Sequence, residues 1–501
     1  MKPLPPLNAD EFDYWKAQHL LNRAGFGGSP ADVRALANMG LDGAVEYLVD
    51  YLQIDAEPIR ADRFDPDIMQ PMSRQDRTRL QAARRGNDEA ILAEFRQRRQ
   101  AAQRRDRKQI REIQQWWFAR MITTPRPLEE KMTLFWHGHF ATNYRGIQDS
   151  YHMFLQNQLF RHNAVGNFKA LSHGIIRDPA MLRYLNNDQN RKQKPNENLA
   201  RELMELFTLG EGHGYTEEDI KQGARALTGY TYHDDEFINI ESPEYRRRHD
   251  AGSKTIMRKS GNWDGDDFVD LIFSRRECSE FLCWKLYRYF VNDLAVDPDR
   301  RQQQFITAMA LLLRQQKYRL RPVLKTLFAS EHFYDPTNVG SQIKSPIQLI
   351  VQAARSLGPP KREVPVLARS AELMGQSIFF PPSVKGWEGG RAWINTSTLF
   401  VRQNTMVYML TGRRARRRRK RDRLTPYDPT HLIEHLRGPG GSINVRDAVT
   451  YLLRINLARP PYSERIDRLV KFVEAREGRM DGPMIVALLS LITAMPEYQL
   501  C

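Results

Sequence analysis

The sequence is poor in cysteine, in long apolar runs and in strand signals, and each shortage removes a class of protein. Its 501 residues include three cysteines, Cys278, Cys283 and Cys501. Three thiols cannot all pair, and the first two lie five apart within an apolar segment, so neither a disulfide framework nor a cysteine-based zinc site is indicated. Cys278 and Cys283 read as core thiols. No run approaches the roughly 18 apolar residues that span a bilayer. The amino-terminal MKPLPPLNADEFDYW lacks the apolar centre of an export signal, so the chain as written is expected to be cytoplasmic. Strand-like pieces are confined to about 229–232 and 237–241, and no solenoid-type repeat is visible.

Basic residues and helix formers are plentiful. The formal net charge is +16, which favours anionic partners unless the excess sits on solvated arms. At 41% apolar residues the chain can bury a sizeable core, and its length suits two or three lobes. Helical spacing and cap signals recur from residue 10 to 493. The fold is therefore expected to be mainly α, with few short strands. A core domain is expected over 1–411, with a projecting basic helical arm at about 74–115 that Gly86-Asn87-Asp88 interrupts. The run GRRARRRRKRDR (412–423) cannot bury itself, and 412–425 reads as a disordered insertion. Residues 426–501 read as a small helical lobe. The stretch 242–264 reads as a long irregular loop.

Four segments could carry chemistry. In NENLARELMELFTLGEGHGYTEEDI (196–220), Asn196 suits an N-cap, and Leu199, Leu203, Leu206 and Phe207 share one helical face. Asn198, Arg201, Glu202 and Glu205 share the other. Two carboxylates three apart beside an arginine can bind a divalent metal or act as acid and base, and they can equally form a solvated net of ion pairs. Thr216 and Asp219 form a capping-box pattern. In FWHGHF (135–140), Gly138 is expected to end a helix opened by Pro127. His137 and His139 would then present two imidazoles on one side of an extended chain to a metal, or else satisfy helix-terminal carbonyls.

The third segment is RHDAGSKT (248–255). It is not a phosphate-binding Walker loop, because the first glycine and its spacing are missing. His249, Asp250 and Lys254 could still bind an anion or move a proton. Just beyond it, 262–267 has part of a calcium-loop pattern without the closing glutamate. The fourth is PPSVKGWEGGRAWINT (381–396), a stiff loop in which Lys385, Trp387 and Asn395 could line a ligand site and Trp387 could stack on a sugar or base. Packing against the body, with Asn395 or Thr396 as a helix cap, is the alternative.

Taken in order, HLLNRAGFGGSP (19–30), EKMTLFWHGHFATN (130–143), the 196–220 segment, ARALTGY (224–230), 247–267, FLCWKLYRYFV (281–291), KSPIQLIVQAARSLG (344–358) and 379–404 resemble the signature blocks of a large bacterial family known as DUF-1800, of unknown function. The arm and the arginine block depart from it. The resemblance brings no mechanism. It implies that the polar residues within these blocks share one pocket. Many relatives carry export signals, which keeps export open, and many are encoded beside a sulfatase-like family.

Three functions follow as expectations. The first is a hydrolase or group-transfer enzyme on an anionic or glycan substrate. Glu202 and Glu205, with His249 and Asp250, would supply acid–base chemistry, a divalent metal would sit on His137 and His139, and Asn198, Arg201, Lys254, Lys385, Trp387 and Asn395 would hold the substrate. The second is a nucleic-acid or anionic-polymer binder working through the basic arm. The third is a scaffold or chaperone for a sulfatase-like partner.

Overall fold

The computed structural model describes residues 4–238, 240–293, 297–413 and 427–501. The arginine-rich 414–426 lies outside the described residues, so the expectation of a disordered insertion there has no structural counterpart. Among the described residues the fold is mainly α, with twenty-three α-helices and two small two-stranded sheets. None of these helices is long and apolar enough to cross a membrane.

Caps set most helix starts. Ser29 and Thr216 each close a capping box, with Asp32 and Asp219. The arm is a helical hairpin of Arg74–Gly86 and Glu89–Thr123, broken where Asn87 turns left-handed (φ 49°). The second helix is 35 residues long and changes character along its length. Its first part is largely exposed and rich in arginine. Its last part buries Ile110, Ile113, Trp117, Phe118 and Met121. The hairpin is laced by exposed ion pairs such as Arg79–Glu94 (2.7 Å).

Two apolar clusters make up the interior. One gathers residues from the amino-terminal helices through Tyr334. The other joins the end of the 35-residue helix to Pro346–Leu357, Thr396–Thr411 and the carboxy-terminal helices, so residues 427–501 pack into a core they share with earlier segments. The helix Pro127–His139 lies at the seam. Leu128, Met132, Phe135 and Trp136 belong to the first cluster and Leu134 to the second. A buried charge network is anchored there. Glu130 accepts from Trp117 Nε1 (2.8 Å), from Arg120 Nε (2.5 Å) and from Arg161 Nε and Nη2 (2.8 and 2.9 Å).

Three local expectations are corrected. The Pro127 helix does not stop at Gly138; the bond from Phe140 N to Trp136 O carries it through His139. The 242–264 stretch is not irregular. It contains the helix Pro243–Arg248 and the hairpin Lys254–Ile256/Lys259–Gly261. That hairpin turns on Met257 and Arg258, both at positive φ, without the glycine or asparagine that normally marks such a turn. Asn196 is not the N-cap of its helix. Glu197 takes that position without a side-chain cap, and Asn196 accepts from Asn198 N (3.0 Å) instead.

Candidate functional site

The 196–210 segment begins as the α-helix Asn198–Glu202 and continues as a π-helix over Leu203–Thr208. Single π-turns of this kind concentrate at functional sites. Arg201 is fully engaged, bridging Glu197 (3.1 Å), Glu205 (3.3 Å) and Glu217 (2.8 Å), while Asn198 is exposed. Glu202 is different. It is half-buried and makes no hydrogen bond or ion pair among the described residues. Burial, and next the neighbouring Glu205, raise its pKa, against the pull of Arg201 and Lys385. The segment reaches the Trp387 loop through Glu211, which pairs with Lys385 at 2.6 Å.

Beyond that pair opens a cavity of about 190 Å³. The Pro127–His139 helix contributes Lys131 and His139, and the helix Arg276–Phe290 contributes Lys285 and Arg288. Lys344 stands just before Pro346–Leu357, and the loop supplies Lys385 and Trp387. Gly386 (φ 76°) keys the loop onto the helix end, since a Cβ there would stand 2.2 Å from Gly138 O. The loop thus requires glycine at that position.

The charge balance of this lining is lopsided. Five basic side chains, Lys131, Lys285, Arg288, Lys344 and Lys385, face two acidic ones, Asp293 and Glu388. Arg288 is already bound to Asp293 (2.6 Å) and Lys385 to Glu211. The other three lysines have no carboxylate partner among the described residues. Lys131 donates to Gln348 Oε1 and lies over the Tyr289 ring, and Lys344 donates to Tyr498 O (2.8 Å). Burial pushes Lys131 down to about 7 and Lys344 down to about 8, in each case against an opposing pull from Cys501, which also lines the cavity.

The two imidazoles do not face one way, because residues two apart on a helix diverge. His137 Nε2 accepts from Phe379 N (2.9 Å), and burial holds its pKa at about 3. His139 Nε2 meets Phe207 O at 2.9 Å. A carbonyl only accepts, so Nε2 carries the proton and Nδ1 is left bare, without a partner. Among the described residues, no three His, Cys, Asp or Glu side chains gather as a metal ion needs.

The remaining expected residues lie elsewhere. His249 bonds Thr228 O through Nδ1 (2.9 Å) and stacks on Tyr245. Asp250 pairs with Arg225 (2.7 Å), and buried Lys254 donates to the carbonyls of Asp250 and Gly252. These three tie their own loop and do not line the cavity. Asn395 caps Thr396–Thr411 by accepting from Thr398 N (2.9 Å), and it lines a neighbouring groove shared with Trp387. Of the expected residues, His139, Lys385 and Trp387 therefore meet in the cavity, with Glu202 close enough to its rim to be felt by Lys385.

The lining is drawn from segments spread across the chain, and a family profile described as "Protein of unknown function (DUF1800)" matches residues 19–500. The chain belongs to that family. No curated protein and no solved structure matches it. Within this DUF1800 chain Lys131, Lys285 and Lys344 are what sequence reasoning missed. A signal was present: Lys131 lies three and four residues from Leu128 and Phe135, and Lys285 lies likewise between Leu282 and Tyr289. A lysine set within an apolar helical stripe is a charge with a buried task.

Proposed function

We propose that the protein is an enzyme that binds an anionic substrate in the Lys131–Lys285–Trp387 cavity and carries out hydrolysis or group transfer there. The observation that supports this reading is the excess of desolvated cations: three lysines around one cavity, none with a carboxylate partner among the described residues. Buried lysines without counter-charges destabilise a fold, and an anionic ligand supplies what they lack. Trp387 offers an apolar face suited to a sugar ring or other flat group. Glu202, half-buried and shifted upward by burial and by Glu205, is suited to exchange a proton with substrate.

Calorimetric titration of glucuronate and inorganic phosphate into the full chain tests it, alongside Lys285→Ala and Trp387→Ala. Lys285→Ala should weaken either anion about tenfold or more, the size of one charge-assisted bond. Trp387→Ala should weaken glucuronate and leave phosphate nearly unchanged. If neither anion binds the wild type, or both variants bind as it does, the cavity is not the anion site.

A further inference from the structure

The lysines around the cavity are not equivalent. Lys131 is held by Gln348 Oε1, Lys344 by Tyr498 O and Lys385 by Glu211. Lys285 Nζ makes no hydrogen bond or ion pair among the described residues. It rests against two rings, 5.3 Å from the centre of Phe281 and 5.7 Å from that of Trp284. It is not among the polar atoms closed off from solvent, so it stays reachable from the cavity. One helical turn further on is Arg288, whose guanidinium is fixed by Asp293 and packs on Trp284 at 5.1 Å.

An amine without an acceptor, among rings and next to other cations, is the environment in which lysine serves as a nucleophile rather than as a charge. Burial, with Arg288 and Lys385 adding to it and Glu211 opposing, brings its pKa down to about 8, and a useful fraction is then the free amine at neutral pH. His139, also beside it, is held neutral by burial, with Lys285 adding to the shift.

We infer that Lys285 forms an imine with an anionic carbonyl compound, a 2-oxo acid, whose carboxylate is drawn by the excess of basic side chains lining the cavity. The inference rests on the anion-binding reading and narrows its substrate class. Lys285 Nζ attacks the carbonyl carbon and the N–C bond forms. Both amine hydrogens pass to the carbonyl oxygen, which leaves as water, and a C=N bond remains with no change of oxidation state. The other three lysines cannot compete on these terms, because each must first give up an acceptor.

The test is reductive trapping. The full chain is incubated with pyruvate or glyoxylate and cyanoborohydride, then examined by intact mass and peptide mapping. The expected result is one equivalent of adduct, heavier by the oxo acid less one oxygen atom, mapped to Lys285 and absent from Lys285→Arg. Adducts scattered over surface lysines, or none above the level of Lys285→Arg, would overturn the inference. Binding of inorganic phosphate separates the two readings. If phosphate binds and no imine is trapped, the cavity binds anions but Lys285 is only a charge. If phosphate does not bind and nothing is trapped, both readings fall. Trapping needs no folded variant, because the map on the wild type alone decides it.

Discussion

Glu130 and Lys131 are neighbours on one helix, both buried, and they have opposite surroundings. Glu130 receives bonds from Trp117, Arg120 and Arg161, and every demand of its charge is met inside the protein. Lys131 has one neutral amide, two aromatic faces and the pull of Cys501, and it borders a cavity with two other lysines that have no ion-pair partner among the described residues. The helix at the seam thus turns a completed charge network to one side and an uncompleted one to the other. The first is what a stable fold does with a buried ion, and the second is what a binding site does.

The largest way to break the contrast is at Glu130. Glu130→Ala leaves Arg161 buried without its partner and should cost about 3–5 kcal/mol in denaturant unfolding. Burial alone would raise the Glu130 pKa, but Arg161 and Arg120 reverse this and the net shift is downward. The stability it contributes is thus full above the carboxylate's unfolded pKa and lost as pH falls through the lower folded value. Glu130→Gln should remove that acid-range slope. Equal acid sensitivity in Glu130→Gln and wild type would show that the network is not what holds the seam.

Lys131→Met should have the opposite sign. The native pKa of about 7 lies below the ordinary lysine value of 10.5, so the unfolded chain gains a proton that the folded chain refuses between those two values. Wild-type stability falls as pH drops through that window. Replacement by Met should stabilise by about 1–4 kcal/mol at pH 7, and the gain should shrink towards pH 10. The same change should weaken phosphate binding. A variant that is stabler and binds equally well would deny Lys131 a place in the site.

The smallest effect is expected at Glu202. Glu202→Gln should move stability by no more than about 0.5 kcal/mol, because the side chain has no bond to lose. Its effect should show in glucuronate affinity. Wild-type affinity should rise as pH falls through the raised pKa of Glu202, when a negative charge near Lys385 is discharged. Glu202→Gln should bind tightly throughout and lack that step. A step retained in the variant would assign the titration to another group.

Much of this was legible in the residues. Helix starts were readable because Ser29, Thr216 and Asn395 pair each cap with the right partner three residues on. The 254–261 hairpin was not, because its turn is made by Met257 and Arg258, side chains that do not advertise positive φ. Instead Asp219 holds the turn from another element by accepting from Met257 N (2.6 Å), which no local pattern reveals. The candidate site is half readable. Lys385 and Trp387, which stand out as substrate contacts, and His139, which stands out as a metal ligand, line one cavity, whereas Arg201 and Asp250 do not line it and pair with Glu217 and Arg225. Spacing reveals which side chains share a face. It does not reveal which of them already have a partner, and that distinction made the lysines the informative residues.

The π-helix at Leu203–Thr208 makes the rim of the cavity a matter of counting. Its wider turns absorb a surplus residue, so a chain one residue shorter could cross the same gap as ordinary α-helix. Everything beyond would then keep its place, but residues between the deletion and the end of the π-turns would be carried about 100° around the axis, the rotation of one α-helical residue. The Phe207 carbonyl would swing away from His139. Between Glu202 and Phe207, a deletion that removed no charge at all would therefore disturb the site as surely as one that did.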